Sequence, residues 1–529
     1  MARQPEQSKG AGAIKDKNSR LKTVGLIIAV TMIGKILGLV RDMLLGHSFG
    51  TGMESAAFLT ASRIPRTFFD AIFAAAISAS FIPVFTERLQ KYSRKDADRL
   101  ADSFLTWVGL LTAVFSLLGM CLAKPLVGVL AEGFNGETAA LCAQLLRLMF
   151  PMVLFTGLAF SMVGILQSMD QFLIPAAMSA VSNCIIILYY IFLCDRFGIQ
   201  GLAWAFLIGW AAQMLIQIPW LFRHGYRYRP TLRHPALRNV FLLMLPVMVS
   251  TWIQPINQLI STRFASFLFE GSGASAMEYA NTLYTMITGI LVLSITNVIF
   301  PEMSRMSAGA DKEGMTVLIG GSLRGMLLLL LPMTFGLVLL AEPVVRLLYE
   351  YGSWDAFSTT ITSRALRFMS LGMVGYGVQN VLSRVYYAGQ KGKIPMISGA
   401  VSVVVNLLLC ILLSDSLDVA GLAIATAVAS LAGAAVLLIP TVGRYPGAFD
   451  RRFCRSILKM LAGCLVMGLV VWAVYRCISG VLPESVIGRI LAAGLPACCG
   501  VLTYLLVEIL LRSEEVMSVL DRFLHHGEA

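Results

Sequence analysis

Ten long stretches of the 529-residue chain contain no Asp, Glu, Lys or Arg, and each is at least 17 residues long. An α-helix needs about 20 apolar residues to cross the hydrocarbon core of a bilayer, where its backbone groups must pair with one another. We therefore predict that each stretch spans a membrane. The stretches occupy residues 103–123, 148–169, 171–194, 197–222, 239–262, 279–301, 325–341, 394–414, 419–443 and 490–507.

Four further apolar segments contain a charge or are slightly shorter, at residues 23–47, 54–83, 368–388 and 460–476. Charged residues make up 14% of the chain, against roughly 25% in soluble domains. The pattern predicts an all-α polytopic membrane protein with about 14 transmembrane helices.

The basic residues follow the predicted topology. Lys and Arg outnumber Asp and Glu by 42 to 30, and the excess lies in the N-terminal tail and in alternate loops. Since basic loops stay on the cytoplasmic side, this bias places both termini in the cytoplasm. The same residues are scattered over separate short loops, so we expect no nucleic-acid binding.

The sequence also contains an internal duplication. The repeat unit holds six predicted helices, and because that number is even, both copies have the same orientation and are related by an axis along the membrane normal. At an offset of 220 residues, Leu146-Arg147 falls on Leu366-Arg367, Gly157 on Gly377, Ile174-Pro175 on Ile394-Pro395, and Gly201-Leu202-Ala203 on Gly421-Leu422-Ala423.

This duplication predicts the domain organisation. A cytoplasmic tail (1–20) precedes one six-helix lobe (21–225) and a second six-helix lobe (226–445). Two C-terminal helices (446–512) and a second cytoplasmic tail (513–529) follow. Such a two-lobed plan is typical of transporters with a central cavity at the membrane midplane.

Charged residues inside the predicted helices are the candidates for lining that cavity. A charge at the membrane centre costs at least about 2.5 to 3.5 kcal/mol, so it usually faces water or a partner. The excess is positive, which suits an anionic substrate such as a diphosphate. The candidates are Lys35, Arg41, Asp42, Arg63, Arg66 and Arg263, with Asp70 as a further local counter-charge.

Alternatives remain for several of these residues. Arg41 and Arg263 lie close enough to predicted turns to reach a membrane interface, and Lys35 suits a structural role equally well. The amides Gln254, Asn257 and Gln258 of the seventh helix either line the cavity or bond a neighbouring helix.

Helix 1 combines two glycines with its charges. Gly34 and Gly38 beside Lys35 and Arg41 favour a hinge, and close packing against a neighbouring helix is the alternative. The ten cysteines lie mostly in apolar spans without a CxxC pair, so we expect no metal site. The five histidines show no acid/base pair in a short motif, so we expect no enzyme.

Several short motifs resemble the N-terminal signature of the MurJ/MviN family. They are Gly38-Leu39-Val40-Arg41-Asp42, Phe49-Gly50-Thr51-Gly52, Arg63-Ile64-Pro65 and Phe81-Ile82-Pro83-Val84. Tyr279-Ala280-Asn281, at the start of the predicted span 279–301, is similar to a further family motif. The resemblance covers essentially the whole chain. It implies a cavity role for Arg41 and adds Asn281 to the candidate cavity residues.

The resemblance also implies a function. Members of this family are lipid II flippases of the multidrug/oligosaccharidyl-lipid/polysaccharide exporter superfamily. They move the undecaprenyl-diphosphate-linked peptidoglycan precursor outward across the bacterial inner membrane by alternating access, and so serve cell-wall biogenesis and cell shape. The implied partners are lipid II, membrane lipids and cell-wall synthesis proteins, with no cofactor and with coupling to an ion gradient or the membrane potential.

The chain departs from the family pattern where the family carries charge, at Ala56, Ala74 and Thr282 and at Phe69-Asp70, which stands in place of an arginine pair. Two other functions therefore stay open. One is a flippase for another undecaprenyl-linked saccharide, and the other is a drug/cation antiporter of the same superfamily. A net basic pair of first helices disfavours the antiporter, because a cation-exporting cavity should be acidic.

Overall fold

The computed structural model describes residues 7–480, 482–483 and 485–517, and every regular element in these ranges is helical. The first eleven helices are α1 (Gln7–Phe49), α2 (Met53–Ser62), α3 (Phe69–Ala76), α4 (Ile82–Lys91), α5 (Arg94–Cys121), α6 (Ala123–Leu130), α7 (Gly136–Met149), α8 (Met152–Ser168), α9 (Leu173–Phe192), α10 (Cys194–Leu215) and α11 (Ile218–Arg223). The others are α12 (Leu237–Thr251), α13 (Ile253–Ala265), α14 (Ser272–Ala308), α15 (Lys312–Tyr349), α16 (Ala356–Ser370), α17 (Met373–Ala388), α18 (Lys393–Arg444), α19 (Arg451–Ser479) and α20 (Val486–Leu510).

The predicted all-α membrane architecture is confirmed. Nine helical segments of the described chain are long and apolar enough to span a membrane. One of them, Lys393–Arg444, contains the non-helical residue Asp418 and therefore consists of two helices joined at a bend. Four further predicted spans coincide with α1, with α2 to α4, with α12 and α13, and with α16 and α17. Together with the nine segments, one of which contains two helices, they are consistent with about 14 crossings.

Helix α1 begins earlier than the sequence suggests. The polar residues 1–20 carry no helix signal, yet α1 starts at Gln7 and runs without interruption to Phe49. At the other end of the chain, most of the predicted tail 513–529 lies outside the described residues, as do the side chains of residues 1–24 and of Asp70.

The second predicted span is broken by two π-helical segments, Arg63–Phe68 and Ile77–Phe81. The first segment contains Pro65, whose missing N–H removes one α-helical hydrogen bond. A π turn widens the helix and re-aims the side chains that it carries. Arg63 and Arg66 both lie in this segment.

The duplication is visible in the backbone. Left-handed backbone conformations are uncommon outside glycine, so their recurrence at equivalent positions shows that the two copies bend alike. Three pairs of residues with positive φ are separated by 220 or 221 positions, namely Gly50 (57°) with Gly271 (96°), Asp170 (60°) with Gln390 (56°), and Gly198 (53°) with Asp418 (51°).

Helix packing repeats as well. A Cβ added at Gly157 on α8 would lie 2.7 Å from Thr112 Cγ2 on α5, and one at Gly377 on α17 would lie 2.2 Å from Leu330 Cδ1 on α15. These glycines occupy matching positions of the duplication. Each therefore permits the same close helix contact in its own half of the chain.

The described helices form two compact units. Unit 1 comprises residues 1–45, 61–127 and 140–252, and unit 2 comprises 46–60, 128–139 and 253–529. The units follow different boundaries from the six-helix lobes of the sequence analysis, since residues 46–60 and 128–139 pack within unit 2. Helices α19 and α20 pack on each other and against α15 in unit 2.

Candidate functional site

Arg41 is held by three side chains of unit 1. Its Nε and Nη2 donate to Asp42 Oδ1 at 3.0 and 2.8 Å, and its Nη1 donates to Asn183 Oδ1 at 3.0 Å. Its guanidinium carbon lies 5.4 Å from the ring centroid of Phe206. The Arg41 and Asp42 side chains are only 12% and 13% exposed. The Arg41 guanidinium therefore has a fixed orientation, and the carboxylate of Asp42 balances part of its positive charge.

Asn183 is a site residue that the sequence analysis missed. Besides accepting from Arg41, its Nδ2 donates to the Gly34 carbonyl at 3.1 Å, so it joins α9 to α1 at two points. The sequence does mark Asn183 as an isolated amide inside the charge-free stretch 171–194. Polar side chains in such stretches usually form hydrogen bonds with neighbouring helices.

Both predicted hinge glycines lie against α9. A Cβ at Gly34 would lie 3.5 Å from Ser179 Cβ, and one at Gly38 would lie 3.4 Å from Asn183 Nδ2. Helix α1 is continuous in this state. The arrangement is the close packing that the sequence offered as the alternative, and bending of α1 stays a prediction for another state.

The other basic candidates of unit 1 differ in exposure. Arg63 is buried, with 8% of its surface exposed, whereas Arg66 is half-buried and Lys35 is exposed. Residues three apart share a face of an α-helix, but the wider π turn rotates Arg63 and Arg66 further apart around the axis. Unit 1 therefore contains four basic candidates and the carboxylate of Asp42.

Arg263 lies in unit 2 and has an acidic partner. Its Nη2 forms an ion pair with Glu132, and its Nη1 donates to the Val129 carbonyl at 3.2 Å. The Gly133 amide donates to Ser266 Oγ at 3.1 Å. These contacts attach residues 128–139 to the end of α13, and both interpretations of Arg263 stay predictions. Glu132 was not among the predicted site residues.

The four amide candidates of unit 2 differ in their exposure and in their contacts with neighbouring helices. The main-chain carbonyl oxygen of Asn257 accepts from Asn406 Nδ2 at 3.5 Å, and Asn406 also donates to Ser261 Oγ at 3.3 Å, which links α18 to α13. Gln254 is exposed and Gln258 is half-buried on α13. Asn281 is half-buried on α14.

The structure thus assigns the predicted site residues to two groups. Unit 1 contains Lys35, Arg41, Asp42, Arg63 and Arg66, and unit 2 contains Arg263 with the four amides. Guanidinium groups bind phosphate oxygens through paired donors, so the unit 1 group has the chemistry of an anion site.

Comparison with known proteins agrees with this chemistry. The family model described as lipid II flippase MurJ matches residues 45–488. A probable lipid II flippase MurJ of Buchnera aphidicola subsp. Acyrthosiphon pisum is 29% identical over 469 residues, which cover 87% of this chain and 91% of the relative.

Two solved structures have the same fold. A lipid II flippase MurJ in an inward closed conformation is 25% identical, with a TM-score of 0.79, over 92% of this chain and 99% of its own. An inward-facing MATE family transporter of the MOP superfamily is 16% identical, with a TM-score of 0.67, over 80% of this chain and 98% of its own, and so shares the fold alone. Since the family model matches most of its length, the chain belongs to the MurJ family of lipid II flippases.

Proposed function

We propose that this protein is a lipid II flippase, which moves the undecaprenyl-diphosphate-linked peptidoglycan precursor from the cytoplasmic to the outer leaflet. The observation that carries the proposal is the family match over residues 45–488, which includes Asn183, Phe206, Arg63 and Arg66. The basic group of unit 1 supplies donors for the diphosphate of such a substrate. Transport of this kind requires no catalytic step by the protein.

The geometry of Arg41 suggests how substrate is bound. Its guanidinium is already oriented by Asp42 and Asn183, so little side-chain entropy is lost when a phosphate oxygen approaches. Lys35 is exposed and Arg66 is half-buried, and we propose that both contact the anion. The duplicated halves then expose the bound head group to one membrane face and afterwards to the other, as in alternating access.

The proposed location is the bacterial inner membrane, with both termini in the cytoplasm. The alternation of basic loops supports this topology. Cysteines introduced at Lys95 and Arg227 should react with a membrane-impermeant thiol reagent only from the cytoplasmic side. We further propose that transport is coupled to an ion gradient or the membrane potential, with cell-wall synthesis proteins as partners.

Depletion of the protein in its host tests the substrate. Lipid II should accumulate in the cytoplasmic leaflet, where an impermeant enzyme added outside cannot reach it. Accumulation of a different undecaprenyl-linked saccharide would replace lipid II with that substrate. Unchanged distribution of all such lipids would contradict the flippase function.

Charge-neutral variants connect the function to the site. A Lys35→Gln and Arg66→Gln double variant should reach the membrane normally but fail to restore outward movement in depleted cells, because two phosphate contacts are lost. Arg196→Gln is the matched control, since Arg196 is exposed and lies over Phe197. Full rescue by the double variant would separate these residues from transport.

A further inference from the structure

The linker between α11 and α12, residues 224–236, is attached to α5 by buried polar contacts. Tyr226 Oη and the Arg229 amide donate to Asp102 Oδ1 at 2.8 and 3.1 Å. Asp102 is only 4% exposed. Burial and the hydrogen bond to Asp102 raise the pKa of Tyr226, so its hydroxyl remains a donor. This half of the linker is firmly positioned.

The second half of the linker is attached in the same way. Trp107 Nε1 donates to the Leu232 carbonyl at 3.0 Å, and His234 Nε2 lies 3.3 Å from Asp96 Oδ1. The Ala236 amide donates to His234 Nδ1 at 3.2 Å, so Nδ1 has no proton and Nε2 is the donor to Asp96. Hydrogen bonds therefore hold the linker against α5 along its length, and the two segments form one continuous surface.

A groove of about 740 Å³ lies along this surface. Trp107 stands near the start of the charge-free stretch 103–123, at the depth where indole rings mark the boundary between head groups and hydrocarbon. The groove therefore runs from the basic loop face into the apolar layer. Its lining residues are Trp107, Leu111, Leu232, Arg233, His234, Pro235, Leu237, Arg238 and Phe241.

The two arginines of the groove differ from Arg88 and Arg94, which both have acidic partners. Arg88 on the same face has an acidic partner, Asp96, at 3.5 Å. Among the described residues, no carboxylate oxygen lies within 4 Å of the Arg233 or Arg238 guanidinium, and both residues are exposed. Two guanidinium groups without a carboxylate partner, beside an apolar groove, are complementary to a phosphate that is attached to an acyl chain.

We propose that this groove binds an anionic glycerophospholipid, with the phosphate between Arg233 and Arg238 and an acyl chain along Trp107, Leu111 and Phe241. The lipid is a resident ligand and not the transported cargo. Because the linker residues Leu232, Arg233, His234 and Pro235 line the groove, the bound lipid stabilises the attachment of the linker to α5. The proposal concerns unit 1 alone and does not depend on which lipid is transported.

Titration of the purified full-length protein with short-chain phosphatidylglycerol or phosphatidylcholine tests the site, with binding followed by mass spectrometry of the intact complex. The wild type should prefer phosphatidylglycerol. An Arg233→Gln and Arg238→Gln double variant should bind it about 30-fold more weakly, since each basic contact with an anionic lipid contributes on the order of 1 kcal/mol. An Arg223→Gln and Arg227→Gln double variant loses the same charge from the same region and should bind like the wild type.

Three results would overturn the proposal. Equal weakening in both double variants would show attraction to general surface charge, and equal binding of both phospholipids would show an apolar contact without phosphate recognition. The protein could also bind an undecaprenyl diphosphate more tightly than phosphatidylglycerol and lose that binding in the Arg233→Gln and Arg238→Gln variant. This result would assign the groove to the transported lipid instead.

Fluorescence locates the acyl chain independently of the charge variants. Phosphatidylglycerol with brominated acyl chains should quench an emission component that is absent from Trp107→Phe, while brominated phosphatidylcholine at the same concentration quenches it much less. Quenching that is identical in wild type and Trp107→Phe would place the lipid elsewhere. This measurement remains decisive if the arginine double variant does not fold.

Discussion

At the scale of single residues, Arg41 shows how a charge is kept inside a membrane helix. Its guanidinium has one carboxylate, one amide and one aromatic ring as partners, contributed by α1, α9 and α10. A buried charge with such partners avoids the penalty of an isolated ion and keeps a defined orientation. Asn183 is central, because it contacts both Arg41 and the α1 backbone.

Replacement of Asn183 by Ala should destabilise the protein by about 1 to 3 kcal/mol, since the partly buried Arg41 Nη1 and the buried Gly34 carbonyl each lose a hydrogen bond. Thermal unfolding in detergent measures the change. Asn239→Ala is the control, because Asn239 is exposed and should leave stability within about 0.5 kcal/mol. Equal effects of the two substitutions would show that the Asn183 contacts contribute nothing.

At the scale of elements, the duplicated copies preserve a backbone bend with different residues. Gly198 has φ 53° and ψ −149°, and its counterpart Asp418 has φ 51° and ψ −135°. Only glycine adopts this region without strain, so the second copy holds Asp418 in an unfavourable conformation. The bend separates the two helices within Lys393–Arg444.

Asp418→Gly should therefore stabilise the protein by about 1 kcal/mol or more, and Gly198→Asp should destabilise it by about 1 to 3 kcal/mol. A Cβ at Gly198 meets nothing within 4 Å, so the second change tests backbone conformation without a steric clash. Unfolding midpoints measure both effects.

The charge of Asp418 needs its own control, because Asp418 lies 4.0 Å from Arg364. Asp418→Asn removes the charge and keeps the side chain, and it should change stability by less than about 0.5 kcal/mol, as for other exposed ion pairs. A gain from Asp418→Asn as large as that from Asp418→Gly would attribute the effect to charge and not to the backbone.

At the scale of the whole molecule, residues 46–60 belong by sequence to the first half but pack within unit 2. Thr51 Oγ1 lies 2.7 Å from Ser358 Oγ, and the Ser353 amide donates to the His47 carbonyl at 2.8 Å. A Cβ at Gly50 would lie 2.6 Å from the Ser353 carbonyl oxygen, so glycine is needed for this contact. We predict that residues 46–60 move with the first half during transport and therefore separate from the rest of unit 2.

A disulfide between Thr51→Cys and Ser358→Cys tests that movement. The buried contact brings the two side chains within reach of each other, so the bond should form on mild oxidation. The oxidised double variant should stop moving lipid and should recover after reduction. Transport is measured in proteoliposomes, with each single cysteine variant as control.

Normal transport by the fully oxidised protein would contradict alternating access by this route. The head group would then have to slide along a fixed groove. Loss of transport in a single cysteine variant would instead show that Thr51 or Ser358 has a local role.

Much of the architecture followed from the sequence, because the cost of burying charge in lipid acts on each residue separately. The charge-free stretches predicted the spans, and the 220-residue offset predicted the repeat that the bends at Gly198 and Asp418 now display. Motifs around Arg41 and Arg63 were enough to indicate the family that the comparison found. These signals are local or repetitive, so a linear pattern contains them.

Tertiary structure alone decided the partners of each charge. Asn183, Phe206 and Glu132 lie far along the chain from Arg41 and Arg263, and no spacing rule connects them. The attachment of the linker to Asp102, and the packing of residues 46–60 in unit 2, likewise depend on which helices meet. The residue type alone sets the free-energy cost of placing a side chain in lipid. The neighbour that offsets this cost depends on how distant segments of the chain pack together.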